Sequence, residues 1–140
     1  MTPEALAATY AAAFPQSRAW TASEFADLLA HKGSVFAGSA DSFAIGRAVL
    51  DEVELLTIAT APHLQGKGIG TATLASFEAV AMARGVTTFH LEVADDNVAA
   101  KALYQKAGYA QIARRKAYYQ RPNRLAVDAI VMSKLALPHF

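Results

Sequence analysis

A glycine-rich turn at residues 65–70 constrains the fold of this chain more than any other feature, because of the segments that flank it. The apolar segment 53–61 before it is a predicted strand, and the segment 71–84 after it is a predicted helix that Gly85 ends. Glycine allows positive φ angles and lets an anion approach the backbone closely. The free N–H groups at a helix start, with the positive end of the helix dipole, bind phosphate groups. The turn therefore predicts a site for a phosphate or pyrophosphate.

Spacing excludes two common nucleotide-binding motifs at this turn. A Walker loop needs glycine at position 61 and serine or threonine at 68, where the chain has Ala61 and Gly68. A dinucleotide fingerprint needs glycine at position 71, which is Thr71. The pattern that remains is Gln65-x-x-Gly68-x-Gly70. Glycine turns without ligands are common, but the position between a strand and a helix favours an anion site over a plain turn.

The composition indicates one packed domain, residues 1–140, with 54% hydrophobic and 18% charged residues. A net charge of +1 gives no overall field that would attract nucleic acid or an anionic membrane. The chain has no cysteine, and its four histidines show no ligand spacing, so we expect no disulfide and no metal. It has no long apolar run and no basic residue before Arg18, so we expect a soluble cytoplasmic protein.

Capping residues and apolar patterns predict ten elements. Thr2 begins one helix, and Thr21 begins a second through a capping box with Glu24. The unbroken hydrophobicity of segment 53–61 predicts a central strand that is buried on both faces. The order predicts an α/β fold, a mixed sheet with helices on both faces. The predicted elements are helices 2–13 and 21–33, strands 34–39, 42–50 and 53–61, helix 71–84, strand 86–93, helix 97–106, and strands 109–118 and 125–135.

With the turn, the strand before it and this element order, the chain resembles the GNAT superfamily of acetyl-CoA-dependent N-acetyltransferases. In that family the signature Arg/Gln-x-x-Gly-x-Gly/Ala forms the turn that holds the CoA pyrophosphate. Residues 14–135 are similar to the RimI-type branch, whose members acetylate the N-terminal alanine of a small-subunit ribosomal protein. The motifs that carry this similarity are Leu91-Glu92-Val93, Asn97, Ala102-Leu103-Tyr104, Gly108-Tyr109, Arg114-Arg115-Lys116 and Tyr118-Tyr119.

Two features depart from the family pattern. GNAT proteins usually begin with a strand, whereas this chain begins with a predicted helix, so either that strand is missing or another element covers the sheet edge. The branch usually has a basic or small polar pair after Leu-Glu-Val, where this chain has Ala94-Asp95-Asp96. The resemblance therefore implies a GNAT (acyl-CoA N-acyltransferase) fold without the usual first strand, and a peptide preference that this loop can alter.

The resemblance implies that acetyl-CoA, as co-substrate, is held mainly by backbone groups. A strand segment would pair with the pantetheine arm, which requires that the neighbouring strand splays away. Backbone N–H groups of the turn would hold the pyrophosphate, and Gln65 and Lys67 would add side-chain contacts, although an exposed lysine at this position is more often simply solvated. Asn97 would either only cap a helix or also contact the pantetheine. The implied set is Ile58, Ala59, Thr60, Gln65, Gly66, Lys67, Gly68, Ile69, Gly70, Thr71 and Asn97.

The resemblance also implies a base and an acid for the attack of an amine on a thioester. Glu92 matches the base, acting through water, and Tyr104 matches the acid that protonates the departing thiolate. Asn97 lies seven residues before Tyr104, which places both on one helix face. Glu54 is the alternative base, because many GNAT members place theirs on that strand. His90 and His63 are possible relays, although each is more typical of an ordinary surface histidine.

The acceptor follows from amine chemistry and the resemblance together. An α-amine, with a pKa of about 7.7–8.0, is partly neutral near pH 7, whereas a lysine amine near 10.4 needs roughly 3 kcal/mol more to lose its proton. We therefore expect an N-terminal α-amine, with lysine or a small-molecule amine as the alternative acceptor. A non-catalytic acyl-CoA-binding module is a third hypothesis, which the presence of both Glu92 and Tyr104 disfavours. The basic segment 114–124 is interpreted as a largely solvated hairpin whose tyrosines, 118 and 119, line a peptide groove.

Overall fold

Ten main elements form the fold in a computed structural model, which describes residues 1–15 and 18–136. The predicted order is confirmed, and a short 3-10 turn, Pro62–Leu64, is the addition. No helix within these ranges is long and apolar enough to cross a membrane. The elements are α1 (Pro3–Ala13), α2 (Ala22–Ala30), β1 (Ser34–Ser39), β2 (Ser42–Val49), β3 (Glu52–Thr60), α3 (Ile69–Ala83), β4 (Thr88–Ala94), α4 (Val98–Lys106), β5 (Ala110–Arg121) and β6 (Arg124–Leu135).

The strands form one mixed sheet in the order β1-β2-β3-β4-β6-β5. Only the β3–β4 pair is parallel, and the other neighbouring strands of this described sheet are antiparallel. Residues 1–15 form α1 and no strand, so β1 stands at the edge of the sheet. The fold is therefore the expected α/β arrangement that begins in a helix.

Side-chain caps fix three of the helix starts, as their sequences predict. The Thr2 hydroxyl accepts a hydrogen bond from Ala5 N–H at 3.1 Å. Thr21 and Glu24 form the reciprocal capping box, with both hydrogen bonds at 3.1 Å. Asn97 caps α4 by accepting from Ala100 N–H. These bonds satisfy backbone donors that the first helical turn cannot pair internally.

Helices cover both faces of the sheet and bury two clusters. On one face, Leu74 and Phe77 of α3 pack with apolar side chains of β3, β4 and β6, and Tyr104 of α4 joins this cluster. On the other face, Leu6 of α1 and Phe25 of α2 pack with β2 and β3 side chains in a cluster rich in aromatic rings. The sheet is therefore the middle of three layers, and its two faces are separately packed.

One carboxylate, Glu78 of α3, is buried in the first cluster. It accepts a hydrogen bond from the Tyr109 hydroxyl at 2.8 Å and lies 3.0 Å from Nζ of Lys134 on β6. A buried charge is tolerated when it is paired and hydrogen-bonded. Tyr109 in turn packs its ring edgewise against Tyr104, with 5.9 Å between ring centroids. The network therefore joins α3 and β6 to Tyr109, which packs beside Tyr104, the predicted acid.

A β-bulge divides β3 into two halves. Ile45 of β2 pairs with Thr57 and Gly46 pairs with Leu55, so Leu56 is left without a partner. In a regular strand the odd positions 53, 55 and 59 would share one face. Here Val53 and Leu55 pack in the α3 cluster, whereas Ala59 packs in the α1 cluster. The expectation of burial on both faces was therefore wrong for the first half of β3, where Glu52 and Glu54 are exposed. In the second half, Ile58 packs against the α3 cluster and Ala59 lies in the α1 cluster.

Gly46 allows this bulge to pack closely. A methyl group at Gly46 would lie 2.4 Å from the Glu54 carbonyl oxygen and 2.7 Å from the Phe77 ring. Both separations are shorter than van der Waals contact, and one of the two neighbours is backbone. The absence of a side chain at Gly46 therefore lets α3 pack against β2 opposite the bulge.

Gly46→Ala should destabilise the fold by about 1–3 kcal/mol, the usual cost of overpacking a core. Chemical denaturation monitored by circular dichroism measures this change. Gly70→Ala is the matched control, because its methyl group would make only ordinary contacts at 3.6 and 4.0 Å. Equal stability of Gly46→Ala and the parent protein would show that α3 does not depend on this close approach.

Candidate active site

The candidate site lies where β3 and β4 separate. Their parallel pairing ends at Leu55 and Leu91. Beyond it, β3 pairs only with β2 and β4 pairs only with β6, so each strand has a free edge toward the gap. A cavity of about 520 Å³ opens there, a size typical of small-molecule sites. The separation is the geometry that pairing with an extended ligand requires.

The glycine-rich turn forms one end of this cavity. Gly66 and Gly68 have φ angles of 76° and 79°, and α3 begins directly after them at Ile69. A methyl group at either glycine would meet nothing within 4 Å, so backbone conformation and not packing requires glycine there. The helix has neither a side-chain cap nor an acidic residue in its first turn. Its first N–H groups are therefore available to an anion.

Side-chain hydrogen bonds connect this turn to the neighbouring strands. The Gln65 amide donates to the Thr60 carbonyl oxygen at 3.0 Å, so this side chain ties the turn to the end of β3. The Ser42 hydroxyl lies 2.9 Å from the Thr60 hydroxyl and 2.8 Å from that of Thr73 in α3. This chain of hydroxyls joins β2, β3 and α3. Sequence reasoning missed it, because these three positions are far apart in the chain.

Most of the predicted cofactor residues line the cavity, and three do not. Ala59 turns its side chain into the α1 cluster, so only its backbone can take part. Lys67 is exposed and lies outside the cavity wall, as does Ile69. The predicted residues that line the cavity are Ile58, Thr60, Gln65, Gly66, Gly68, Gly70, Thr71 and Asn97.

Two residues of the α4 region face the middle of the cavity. Asn97 accepts from Ala100 N–H through its side-chain oxygen at 3.1 Å and also lines the cavity, so its role as a cap does not remove it from the site. Tyr104 lines the cavity and is only 6% exposed. Burial raises the pKa of Tyr104, because the phenolate would lose its hydration. The hydroxyl therefore keeps its proton at neutral pH and can donate it.

Among the acidic residues predicted for catalysis, Glu92 is the one that lines the cavity. It lies on β4 after the last β3–β4 pair, and its carboxylate is 3.0 Å from Nε of Arg115. Glu54 and His90 pair with each other in the β3–β4 register and lie outside the cavity wall. His63 is exposed in the turn 62–64. Within the described ranges, no three His, Asp or Glu side chains gather as metal ligands do.

The far end of the cavity combines α1, which the sequence did not assign to the site, with the β5–β6 hairpin, whose tyrosines it did. Tyr10 and Phe14, at the end of α1, form one wall, and Tyr10 stacks on Trp20 with 5.1 Å between ring centroids. Tyr119 of β5 forms the opposite wall, and burial raises its pKa, with a smaller contribution from the nearby Glu92 charge. Tyr118 is 49% exposed and lies outside the wall, so the groove prediction agrees with Tyr119 alone.

The β4–α4 loop is tied to the hairpin of β5 and β6 by ion pairs. Asp95 contacts Lys101 at 2.7 Å and Arg114 at 3.0 Å. Asp96 receives two hydrogen bonds of 3.0 Å from Arg121, whose side chain is 10% exposed. Arg121 is therefore an exception in segment 114–124, whose side chains are otherwise largely exposed as the sequence predicts. The acidic pair that departs from the family pattern holds a wall of the cavity in place.

Comparison with known proteins decides the family. The profile of the Acetyltransferase (GNAT) family matches residues 4–109, which is most of the chain. The chain belongs to the GNAT family. The glycine turn, the separated strands and the cavity-lining residues of α4 thus occur together in a family member. Its element order agrees with the sequence prediction.

Several relatives are bacterial acetyltransferases. The chain is 40% identical over 96 residues, 69% of its length, to ribosomal protein bS18-alanine N-acetyltransferase of Escherichia coli. The matched segment spans less than two thirds of the length of such curated relatives, 64% in this case. The crystal structure of the S18-alanine enzyme from E. coli has a TM-score of 0.81 and 31% identity, covering 96% of this chain and 90% of that one. At 19% identity, the structure of yncA from Salmonella typhimurium, solved with acetyl-CoA, shows the same fold with a TM-score of 0.81, over 98% of this chain and 90% of that one.

Asp96→Asn should lower the thermal midpoint by roughly 1–4 °C at pH 7, because Arg121 and Arg124 lose their shared carboxylate. The pKa of Asp96 is lowered by the hydrogen bond from Arg121. Its contribution is therefore present above the unfolded pKa of about 3.9 and is lost as pH falls through the folded value.

Thermal denaturation of both proteins from pH 7 to pH 3 tests this expectation. The difference between the two midpoints should shrink as pH falls below about 4. Asp27→Asn, which changes an exposed aspartate on α2, is the control and should show a small difference at every pH. A constant difference for Asp96→Asn would show that the ion pairs do not stabilise the hairpin.

Proposed function

We propose that this chain transfers the acetyl group of acetyl-CoA to the α-amine of a protein N-terminus, and that the acceptor begins with alanine. One observation carries the proposal. Glu92 and Tyr104 line the same cavity, whose one end is the glycine-rich turn and whose other end opens between α1 and the β5–β6 hairpin. The relatives named as bS18-alanine N-acetyltransferases support this class of acceptor, a small-subunit ribosomal protein or one with a similar N-terminus.

The donor fits the backbone groups of the cavity. Free N–H groups at the start of α3, together with the dipole of that helix, suit the pyrophosphate. The free edge of β3 at Ile58 suits the amide groups of the pantetheine arm, which can pair like an added strand. The Thr60 carbonyl oxygen already accepts from Gln65, so the pairing centres on the residues before it. Acetyl-CoA supplies the acetyl group as an activated thioester.

Glu92 acts as the base in this proposal. The amine must be neutral before it attacks the thioester carbon, and Glu92 receives the proton directly or through one water. An α-amine has a pKa of about 7.7–8.0, so a weak base is sufficient to remove its proton. Glu92 lines the cavity from β4 and lies near Tyr119, which supports its assignment as the base.

Tyr104 acts as the acid. As the new C–N bond forms and the C–S bond breaks, the sulfur of CoA leaves as a thiolate and takes the hydroxyl proton of Tyr104. Glu92 first releases the ammonium proton to solvent and then accepts the second proton, which the amine loses as the amide forms. Transfer of that proton through solvent to the Tyr104 phenolate restores both side chains, and the products are an amide and the CoA thiol. Burial keeps Tyr104 protonated until that step, and Tyr109 holds its ring by edge contact.

A pair of hexapeptides tests the acceptor. The first begins with alanine and contains no lysine, and the second has the same sequence with a blocked α-amine and one lysine. We expect turnover of acetyl-CoA with the first and little with the second, because a lysine amine needs roughly 3 kcal/mol more to lose its proton. Turnover of the lysine peptide alone would replace this proposal with a side-chain acetyltransferase.

Tyr104→Phe should lower kcat by about 10²-fold, within the range found for general acids, while the dissociation constant for acetyl-CoA stays nearly unchanged. Steady-state kinetics and calorimetric titration with acetyl-CoA measure the two quantities. Tyr118→Phe removes a hydroxyl on the exposed side of the hairpin and is the control. A Tyr104→Phe protein with the parent kcat would remove tyrosine from the mechanism.

Glu92→Gln should also lower kcat by about 10²-fold, because the attacking amine loses its proton acceptor. Glu54→Gln is the matched control, since Glu54 lies on the neighbouring strand but outside the cavity wall. The kcat of each variant with the alanine peptide decides between the two carboxylates. A large loss in Glu54→Gln with none in Glu92→Gln would assign the base to β3.

A further inference from the structure

The carboxylate assigned as the base already has a cationic partner. Nε of Arg115 lies 3.0 Å from Oε1 of Glu92. The two side chains differ in exposure, with Glu92 at 20% and Arg115 at 56%. Arg115 also lies over the ring of Tyr118, at 5.2 Å from the ring centroid. Glu92 therefore lines the cavity from β4, while Arg115 contacts its carboxylate from the exposed side, outside the cavity wall.

In the proposed reaction, an incoming amine meets the same carboxylate that Arg115 contacts. An acceptor arrives largely as an α-ammonium, because its pKa of about 7.7–8.0 lies above neutral pH. Among the described residues that line the cavity, Glu92 is the only carboxylate, and the only cation is Arg121, which is already bound to Asp96. Two cations at one carboxylate oxygen repel each other, so the ammonium and Arg115 compete for Glu92.

We propose that Arg115 is an exchangeable counter-ion of Glu92, displaced by the α-ammonium of the acceptor and restored after acetylation. The acetylated N-terminus is a neutral amide and no longer competes for the carboxylate. Arg115 can then return to Glu92 whether or not the neutral product is still bound. Arg115 thus acts as a specificity-determining residue that weakens the binding of the charged acceptor and leaves the binding of the neutral product unchanged. This inference rests on the proposed function of the cavity.

The surroundings of Arg115 allow the exchange. Arg115 ends a regular stretch of β5, because the pairing with β6 shifts between Arg115 and Tyr119. Within that shift Ala117 has a φ of 51° and donates its N–H to Asp128 at 2.8 Å, so the backbone stays anchored while the side chain is free to move. A guanidinium released from Glu92 enters water next to the Tyr118 ring, where a cation–π contact holds it nearby.

The test compares Arg115→Met with the parent protein, using the alanine hexapeptide at saturating acetyl-CoA. We expect the KM for the peptide to fall about two- to fivefold, the range of an exposed ion pair, with kcat within twofold. The inhibition constant of the acetylated peptide should stay unchanged, because the neutral product does not compete with Arg115. Arg115→Lys keeps the charge and should give a KM near that of the parent.

Lys116→Met is the matched control, because it removes the same charge from the adjacent exposed position. Its KM for the peptide should equal that of the parent. An equal fall in KM in both variants would show that the effect comes from net charge alone. A second measurement uses calorimetric titration of the peptide into the Glu92→Gln protein with CoA bound. In the Glu92→Gln protein, adding Arg115→Met should not change the affinity for the peptide. Position 92 then carries no carboxylate for which Arg115 and the ammonium could compete.

Two outcomes would overturn the inference without touching the proposed function. One is an unchanged or raised KM in Arg115→Met while the parent protein acetylates the alanine peptide. The other is a parallel change in the KM of the peptide and the inhibition constant of the product, which would indicate a general change in the shape of the site. Failure of the parent protein to acetylate any α-amine would instead defeat the proposed function itself.

Discussion

The bulge at Leu56 is the constraint on which the rest of the site depends. One unpaired residue turns the second half of β3 toward the α1 face and coincides with the end of its pairing with β4. The free edge for the donor, the gap that exposes Glu92 and the cavity between the two strands all follow from that single irregularity. Bulges at such positions redirect a strand and its side chains. Gly46, directly opposite, provides the room that the bulge needs.

The two ends of the cavity are built from different kinds of chemical group. The proposed donor end is mostly backbone: a strand edge, two glycines in the left-handed region and the start of a helix. The proposed acceptor end is mostly side chains, with aromatic rings from α1 and β5 and ion pairs that hold the hairpin. Backbone groups recognise what all acyl-CoA molecules share, whereas side chains can be changed to suit one acceptor. Glu92 and Tyr104 lie between the two.

Local signals predicted most of the fold, and contacts between distant segments account for what they missed. The caps at Thr2, Thr21 and Asn97 and the turn at 65–70 lie within a few residues of what they determine, so the sequence displays them directly. The contact of Arg115 with Glu92 depends on how two strands align across the sheet, and no short pattern encodes it. Likewise, the local sequence does not distinguish Tyr10 from other aromatic residues on helices. Its position at the cavity follows from the placement of α1 beside the hairpin.

The ion pairs of Asp95 and Asp96 have a consequence for how this acceptor wall can evolve. Asp96 holds both Arg121 and Arg124, and Asp95 holds both Lys101 and Arg114. Substitutions within such a shared network are not additive, because each change alters the partners of the others. A single replacement leaves an unmatched charge beside the cavity, whereas a compensating pair restores it. New acceptor preferences in this lineage are therefore expected to arise through coupled changes in the β4–α4 loop and the hairpin.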